Sequence, residues 1–214
     1  MRELRRGTDR FETRRDGIVT RHSFSYGDHY DPANVGFGPL LAINEERLPP
    51  GGGYAAHRHA DVEIVTWVLE GVLAHEDTTG HGGEVRPGTA QRLSAGSGAE
   101  HVERNGSTTA PLRFVQMMLA SRHDAEPAYA VADVPAGAGV HPTVPVHAEA
   151  ELLVVRPGGA PVDLPRAARL LLHVTRGAVV VDGGTLGPGD ELRVVDEPVV
   201  VAGSGEALVW LLRS

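Results

Sequence analysis

The stretch Gly51-Gly52-Gly53-Tyr54-Ala55-Ala56-His57-Arg58-His59-Ala60-Asp61-Val62-Glu63-Ile64-Val65-Thr66-Trp67-Val68-Leu69-Glu70-Gly71 decides how the chain is read. A glycine turn leads into a His-x-His pair. An apolar run over 62–69 follows, and a further glycine ends it. Residues two apart on a strand point to one side, so His57 and His59 can enter one interior together and share an ion. Glu63 stands four residues beyond His59, on the same parity if the strand runs unbroken.

The same texture extends outward. Short runs rich in Val and Leu recur at 40–43, 112–119, 152–155, 170–174, 178–181, 192–195, 198–201 and 208–212, nearly all bounded by turn residues. Gly (27) and Pro (15) are abundant without a collagen-like period, and no i, i+3, i+4, i+7 pattern is sustained. The prediction is an all-β chain, sandwich or barrel. Trp67-Val68-Leu69-Glu70-Gly71, a Pro87-Gly88 turn and 114–119 are echoed by His173-Val174-Thr175-Arg176-Gly177, a Pro188-Gly189 turn and 208–212. Two tandem β-barrels fit this repeat: residues 1–124, a connection over 125–145 rich in Ala, Pro and Gly, and residues 146–214.

Composition narrows the chemistry. The chain has no cysteine, and all 20 of its basic residues are arginine. Disulfides, thiolate nucleophiles, iron–sulfur clusters, lysine Schiff bases and P-loop lysines are thereby excluded. The net charge of −8 argues against direct nucleic-acid contact. The early arginines, Arg2 to Arg15, are interrupted by acidic residues and read as a solvated face. No run approaches the ~18 apolar residues of a membrane span, and no signal pattern opens the chain. A cytoplasmic, membrane-free protein is expected. The paired glycines at 51–53 and 82–83 read as turns.

There are eleven histidines. His101-Val102-Glu103 repeats the i, i+2 device of His57 and His59. Three imidazoles and a carboxylate make a mixed nitrogen and oxygen set, suited to Fe(II), Mn, Ni, Co, Cu or Zn and not to Ca or Mg. Four ligands on an octahedral ion leave two positions open for catalysis, and Glu63 as a fifth would leave one. His75 and His81 read as members of a polar turn near the mouth of the site. Trp67 reads as core, Met117 and Met118 as packing residues, and His22 and His29 as part of a structural aromatic segment that also holds Phe24, Tyr26 and Tyr30.

Gly51-x5-His57-x-His59-x3-Glu63 followed by Gly71, and Gly98-x2-His101-x3-Asn105, resemble the two motifs of the cupin superfamily. The strings His57-Arg58-His59-Ala60-Asp61-Val62-Glu63, His75-Glu76-Asp77, Gly98-Ala99-Glu100-His101-Val102-Glu103 and Arg21-His22-Ser23-Phe24-Ser25-Tyr26-Gly27-Asp28-His29-Tyr30 are similar to the pirin family, above all its bacterial members. The likeness is strong over residues 20–120. It implies a bicupin, two antiparallel β-barrels of the jelly-roll (double-stranded β-helix) type, with one metal in the first. The family's ligands fall on His57, His59, His101 and Glu103. Glu63 is placed beside them, orienting an imidazole or a bound water. Matching Gly71 to Gly177 sets Asp163, Pro165 and Arg169 opposite His57, His59 and Glu63. Matching Gly88 to Gly189 sets Ala202 and Ser204 opposite His101 and Glu103, so the second barrel reads as structural.

The resemblance also implies a reaction. One divalent transition metal, Fe(II) foremost, would serve a quercetin 2,3-dioxygenase that opens a flavonol ring with dioxygen and releases carbon monoxide. Glu103 would be a ligand and a proton acceptor. The alternative implied by the family is a non-enzymatic metal-binding regulator or sensor that acts on a protein partner.

Overall fold

The computed structural model describes residues 1–121 and 126–213. In chain order the strands are β1 (Arg2–Arg5), β2 (Phe11–Arg15), β3 (Ile18–His22), β4 (Leu40–Leu48), β5 (Gly53–His59), β6 (Val62–Glu70), β7 (Leu73–Asp77), β8 (Gly82–Val85), β9 (Thr89–Ser94), β10 (Ala99–Asn105) and β11 (Leu112–Ala120). They continue as β12 (Ala128–Asp133), β13 (Gly139–Pro142), β14 (Ala150–Arg156), β15 (Val162–Asp163), β16 (Arg169–Arg176), β17 (Val179–Val181), β18 (Gly184–Leu186), β19 (Glu191–Val195), β20 (Val200–Gly203) and β21 (Glu206–Leu212). Among the described residues the one helical element is a 3-10 turn at Gly7–Asp9.

Two compact units share these strands. One holds Arg10–Asp133 and Val146–Ala148. It pairs a sheet of order β12-β9-β6-β11-β4-β3-β2 with a sheet of order β5-β10-β7-β8. The other holds Met1–Asp9, Val134–Pro145 and Glu149–Ser214, with sheets of order β1-β19-β16-β21-β14-β13 and β15-β20-β17-β18. The second set of orders repeats the first with each strand number raised by ten from β4–β11 to β14–β21. This is the physical form of the repeat read in the sequence, and all-β jelly-roll architecture follows from it. Within each unit both sheets are open and antiparallel, and none closes fully into a barrel.

The unit boundaries differ from those expected. Residues 1–9 belong to the second unit, where β1 pairs with β19 from Arg2↔Val194 to Arg5↔Glu191. The stretch expected as a connection holds two strands: β12 pairs with β9, and β13 with β14. Each covers a sheet edge whose backbone N–H and C=O groups would otherwise lack partners. The expected boundary at 124/125 lies outside the described residues. Arg6, read as part of a solvated face, pairs with Asp190 at 2.8 Å.

Strand alternation sorts the first unit's residues into two faces. Ala42, Ile64, Leu93, Ala99 and Met118 pack as one interior cluster, and Ile18, Leu48, Val68, Leu73, Val85, Leu112 and Phe114 as another. Trp67 and Met117 are buried on the opposite parity, as core residues. In the second unit the core is aliphatic, with Leu153, Leu172, Val174, Val194 and Val209 among its members.

The glycine that ends the first motif has a definite role. Gly71 has φ +82°, and a Cβ there would lie 2.5 Å from the Pro111 carbonyl oxygen. Gly80 has a similar φ of +84° with nothing within 4 Å. Gly80→Ala therefore meets only backbone strain, ~1–2 kcal/mol, whereas Gly71→Ala adds a backbone clash and destabilises by ~3 kcal/mol or more. Urea unfolding of the two variants checks the order; equal losses would contradict it.

Candidate metal centre

The site is built on the β5–β10 pair. Ala99 faces His59 and His101 faces His57, but Glu103 faces Tyr54. Two residues of β5, Ala55 and Ala56, thus oppose one of β10, Val102, in a bulge. The extra residue reverses the parity of β5. Tyr54 therefore joins the face that His57, His59, His101 and Glu103 share by alternation alone.

The three imidazoles converge. Ring centroids are 4.4 Å apart for His57–His101, 4.9 Å for His57–His59 and 5.1 Å for His59–His101. Their donor atoms all lie within 4.8 Å of one another. His57 Nδ1 donates to the Ala55 carbonyl at 2.9 Å, which leaves the Nε2 lone pair directed inward. His57 Nε2 and His101 Nε2 are 3.0 Å apart. Two nitrogens each at ~2.1 Å from an ion and at right angles would be separated by about that distance. His59 Nε2 and Glu103 Oε1 are buried without hydrogen-bond partners. A buried lone pair left empty is costly, so these atoms fit a cation.

Electrostatics agree. Burial, and then the neighbouring imidazoles, push His101 down to about 3; burial also lowers His59. Both are thereby held toward the uncharged form that a metal ligand requires. Burial pushes Glu103 up to about 7, opposed by the hydrogen bond from Gln116 Nε2 to Oε2 at 2.7 Å. A divalent cation would relieve that penalty.

Glu63 departs from expectation. The backbone turns at Asp61 (φ +59°), so the parity of β5 does not carry into β6. Ile64 and Val68 belong to the interior clusters, and Glu63 points to the other face. There Oε2 accepts from Ser94 Oγ at 2.8 Å and from the His147 amide at 3.1 Å. It does not orient a site imidazole. His75 also differs from the polar-turn reading. It lies on β7, buried, with Nε2 3.0 Å from Asp77 Oδ2 and its ring stacked on Tyr129 at 4.9 Å. Its ring nitrogen, a His101 nitrogen and a Glu103 oxygen form a second group within 4.8 Å, so it backs the site from below. His81 stacks on the other ring contact of Tyr129, at 5.4 Å.

A cavity of about 740 Å³ opens beside His57, His59 and Glu103. Its walls include His22, Tyr26, Asn44, Glu46, Tyr54 and Gln116, none of which the sequence singled out as part of a site. A signal was present. Asn44 and Glu46 alternate with Ala42 and Leu48 on an inward face, and Gln116 interrupts an apolar strand. Polar residues at core parity mark a lined cavity.

The charge state of Glu103 is testable. Its folded pKa lies above the carboxylate's ordinary 4.5, so the folded, metal-free chain holds a proton that the unfolded chain releases. This contribution is present at acid pH and is lost as pH rises through about 7. Glu103→Gln is therefore expected to raise the melting midpoint of metal-free protein by several degrees at pH 8 and to leave it nearly unchanged at pH 4. Equal shifts at both pH values in thermal scans would contradict this.

Comparison with known proteins places the fold and site in a family. A family model described as Pirin matches residues 5–119. A Mycobacterium tuberculosis protein provisionally named quercetin 2,3-dioxygenase is 39% identical, over 99% of this chain and 95% of its own length. Quercetin 2,3-dioxygenase of Escherichia coli K12 is 29% identical over 92% of this chain and 91% of that protein. The crystal structure of the E. coli bacterial pirin YhhW in complex with nickel(II) superposes with a TM-score of 0.93 at 29% identity, covering 100% of this chain and 99% of that one. With matches of this extent over a shared jelly-roll fold, the chain belongs to the pirin family.

Proposed function

We propose that His57, His59, His101 and Glu103 hold one divalent transition metal and that the protein is a flavonol dioxygenase of the quercetin 2,3-dioxygenase type. The observation that carries this reading is the convergence of three imidazoles, two of which, His57 and His59, line with Glu103 a cavity large enough for an aromatic substrate. The related proteins named for quercetin, and nickel(II) in the E. coli pirin, support it. Fe(II), which the family resemblance puts foremost, is the ion we assign, from a donor set that suits Mn, Ni, Co, Cu or Zn as well.

When bound, such a metal supplies Lewis acidity toward a flavonol hydroxyl and a redox partner for dioxygen. The chain's own groups do the rest. The imidazoles of His57, His59 and His101 orient the site, and burial holds those of His59 and His101 toward the uncharged form. Glu103 Oε1, buried and unpartnered, accepts the proton of the substrate's 3-hydroxyl. Gln116 holds the other carboxylate oxygen and fixes its direction. Met118 and Tyr54 on the cavity wall exclude water around the reacting ring.

Oxygen uptake with quercetin tests the assignment. Protein loaded separately with Fe(II), Mn, Ni, Co or Cu is expected to turn over with at least one ion and to lose about 100-fold in His101→Ala. No uptake with any ion would remove the dioxygenase assignment and favour the partner-binding regulator. Undiminished uptake in His101→Ala would remove the site.

A further inference from the structure

The cavity has a second polar end that the metal-binding residues leave unused. Glu46 projects into it from β4 and is 5% exposed. Its Oε2 accepts from Thr20 Oγ1 at 2.6 Å and from Tyr54 Oη at 2.7 Å. Those two hydroxyls hold the carboxyl in one orientation, and Oε1 has no hydrogen-bond partner among the described residues. Oε1 is not sealed in the core but opens onto the cavity, so the fixed carboxyl offers an acceptor there to water or to a ligand.

A flat wall stands in the same cavity. His22 Nδ1 donates to Asn44 Oδ1 at 2.9 Å, so its Nε2 accepts from Thr13 Oγ1 at 2.9 Å. Both bonds fix the neutral ring, and Tyr26 stacks on it at 5.1 Å and 17°. Acidic side chains outnumber basic ones on the lining: Asp16, Asp28, Glu46 and Glu103 against Arg15. Such a surface disfavours anionic ligands and favours neutral ones that donate hydrogen bonds.

We infer that Glu46 is a recognition residue that accepts a hydrogen bond from a phenolic hydroxyl on the part of the substrate remote from the metal, with the His22–Tyr26 stack supporting the planar ring. The inference rests on the flavonol reading and adds to it a specificity: polyhydroxylated over unhydroxylated aromatic ends. A site built to accept a hydroxyl discriminates against a ligand that lacks one, because its polar group is then left unpaired.

The test is anaerobic equilibrium binding to metal-loaded, full-length protein. Two flavonols are compared, one with and one without hydroxyls on the ring remote from the 3-hydroxyl. Wild type is expected to prefer the hydroxylated flavonol by about tenfold or more, and Glu46→Ala to bring the ratio close to one. Should Glu46→Ala fail to fold, Glu46→Gln is measured in its place and a reduced ratio is expected. Equal wild-type affinities would overturn the recognition role and leave the flavonol reading standing. Binding of neither flavonol would overturn that reading and the recognition role with it. A ratio unchanged in the folded variant would remove Glu46 from the role.

Discussion

One additional residue in β5 joins Tyr54 to the face that holds the candidate ligands and so ties the two polar ends of the first unit's interior together. In a regular antiparallel ladder, alternation alone assigns each side chain to a face, and a shift of one residue sends a set of side chains to the wrong side. Here the bulge at Ala55–Ala56 lets the register run from His101↔His57 to Glu103↔Tyr54. The pairs His101↔His57 and Ala99↔His59 lie in the regular ladder on one side of it, and beyond it Tyr54 joins the same interior, where its hydroxyl reaches Glu46. The Ala55 carbonyl, inside the bulge, accepts from His57 Nδ1 and so sets the tautomer that leaves Nε2 free.

Around that point the interior changes from apolar to polar in a graded way. Apolar clusters containing Ile64, Leu93, Met118, Leu48 and Phe114 pack between the strands and supply a low-dielectric shell. Within it sit Glu103 and Glu46, both raised in pKa by burial and each held by neutral donors, Gln116 for the first and Thr20 with Tyr54 for the second. The same shell keeps His101 and His59 neutral. Burial disfavours an unpaired charge here, and the converging lone pairs of His57, His59 and His101, with Glu103 beside His101, are donors that a shared cation could satisfy.

The sequence carried the architecture well because jelly-roll strands are short, apolar and punctuated by glycine turns. The repeat of Gly71 and Gly177, and of Gly88 and Gly189, corresponds to strand orders that coincide between the two units. The i, i+2 spacing of His57 with His59 and of His101 with Glu103 was legible for the same reason: local spacing on one strand survives folding. Readings that depended on continuity between strands did not. Glu63 was assigned by counting through Asp61, where the chain turns, and it lies on the other face. The placement of residues 1–9 depended on a pairing between β1 and β19, which no local pattern announces. The cavity wall was missed because Asn44, Glu46 and Gln116 look like interruptions of apolar strands until a cavity is seen beside them.

The most direct test of the central claim is the metal content of the protein. Elemental analysis after loading with Ni(II) and exhaustive gel filtration is predicted to give about one ion per chain in wild type and almost none in the His57→Ala/His101→Ala double variant, with both proteins folded by circular dichroism. A full equivalent of metal retained in the folded double variant, or none in wild type, would contradict the account.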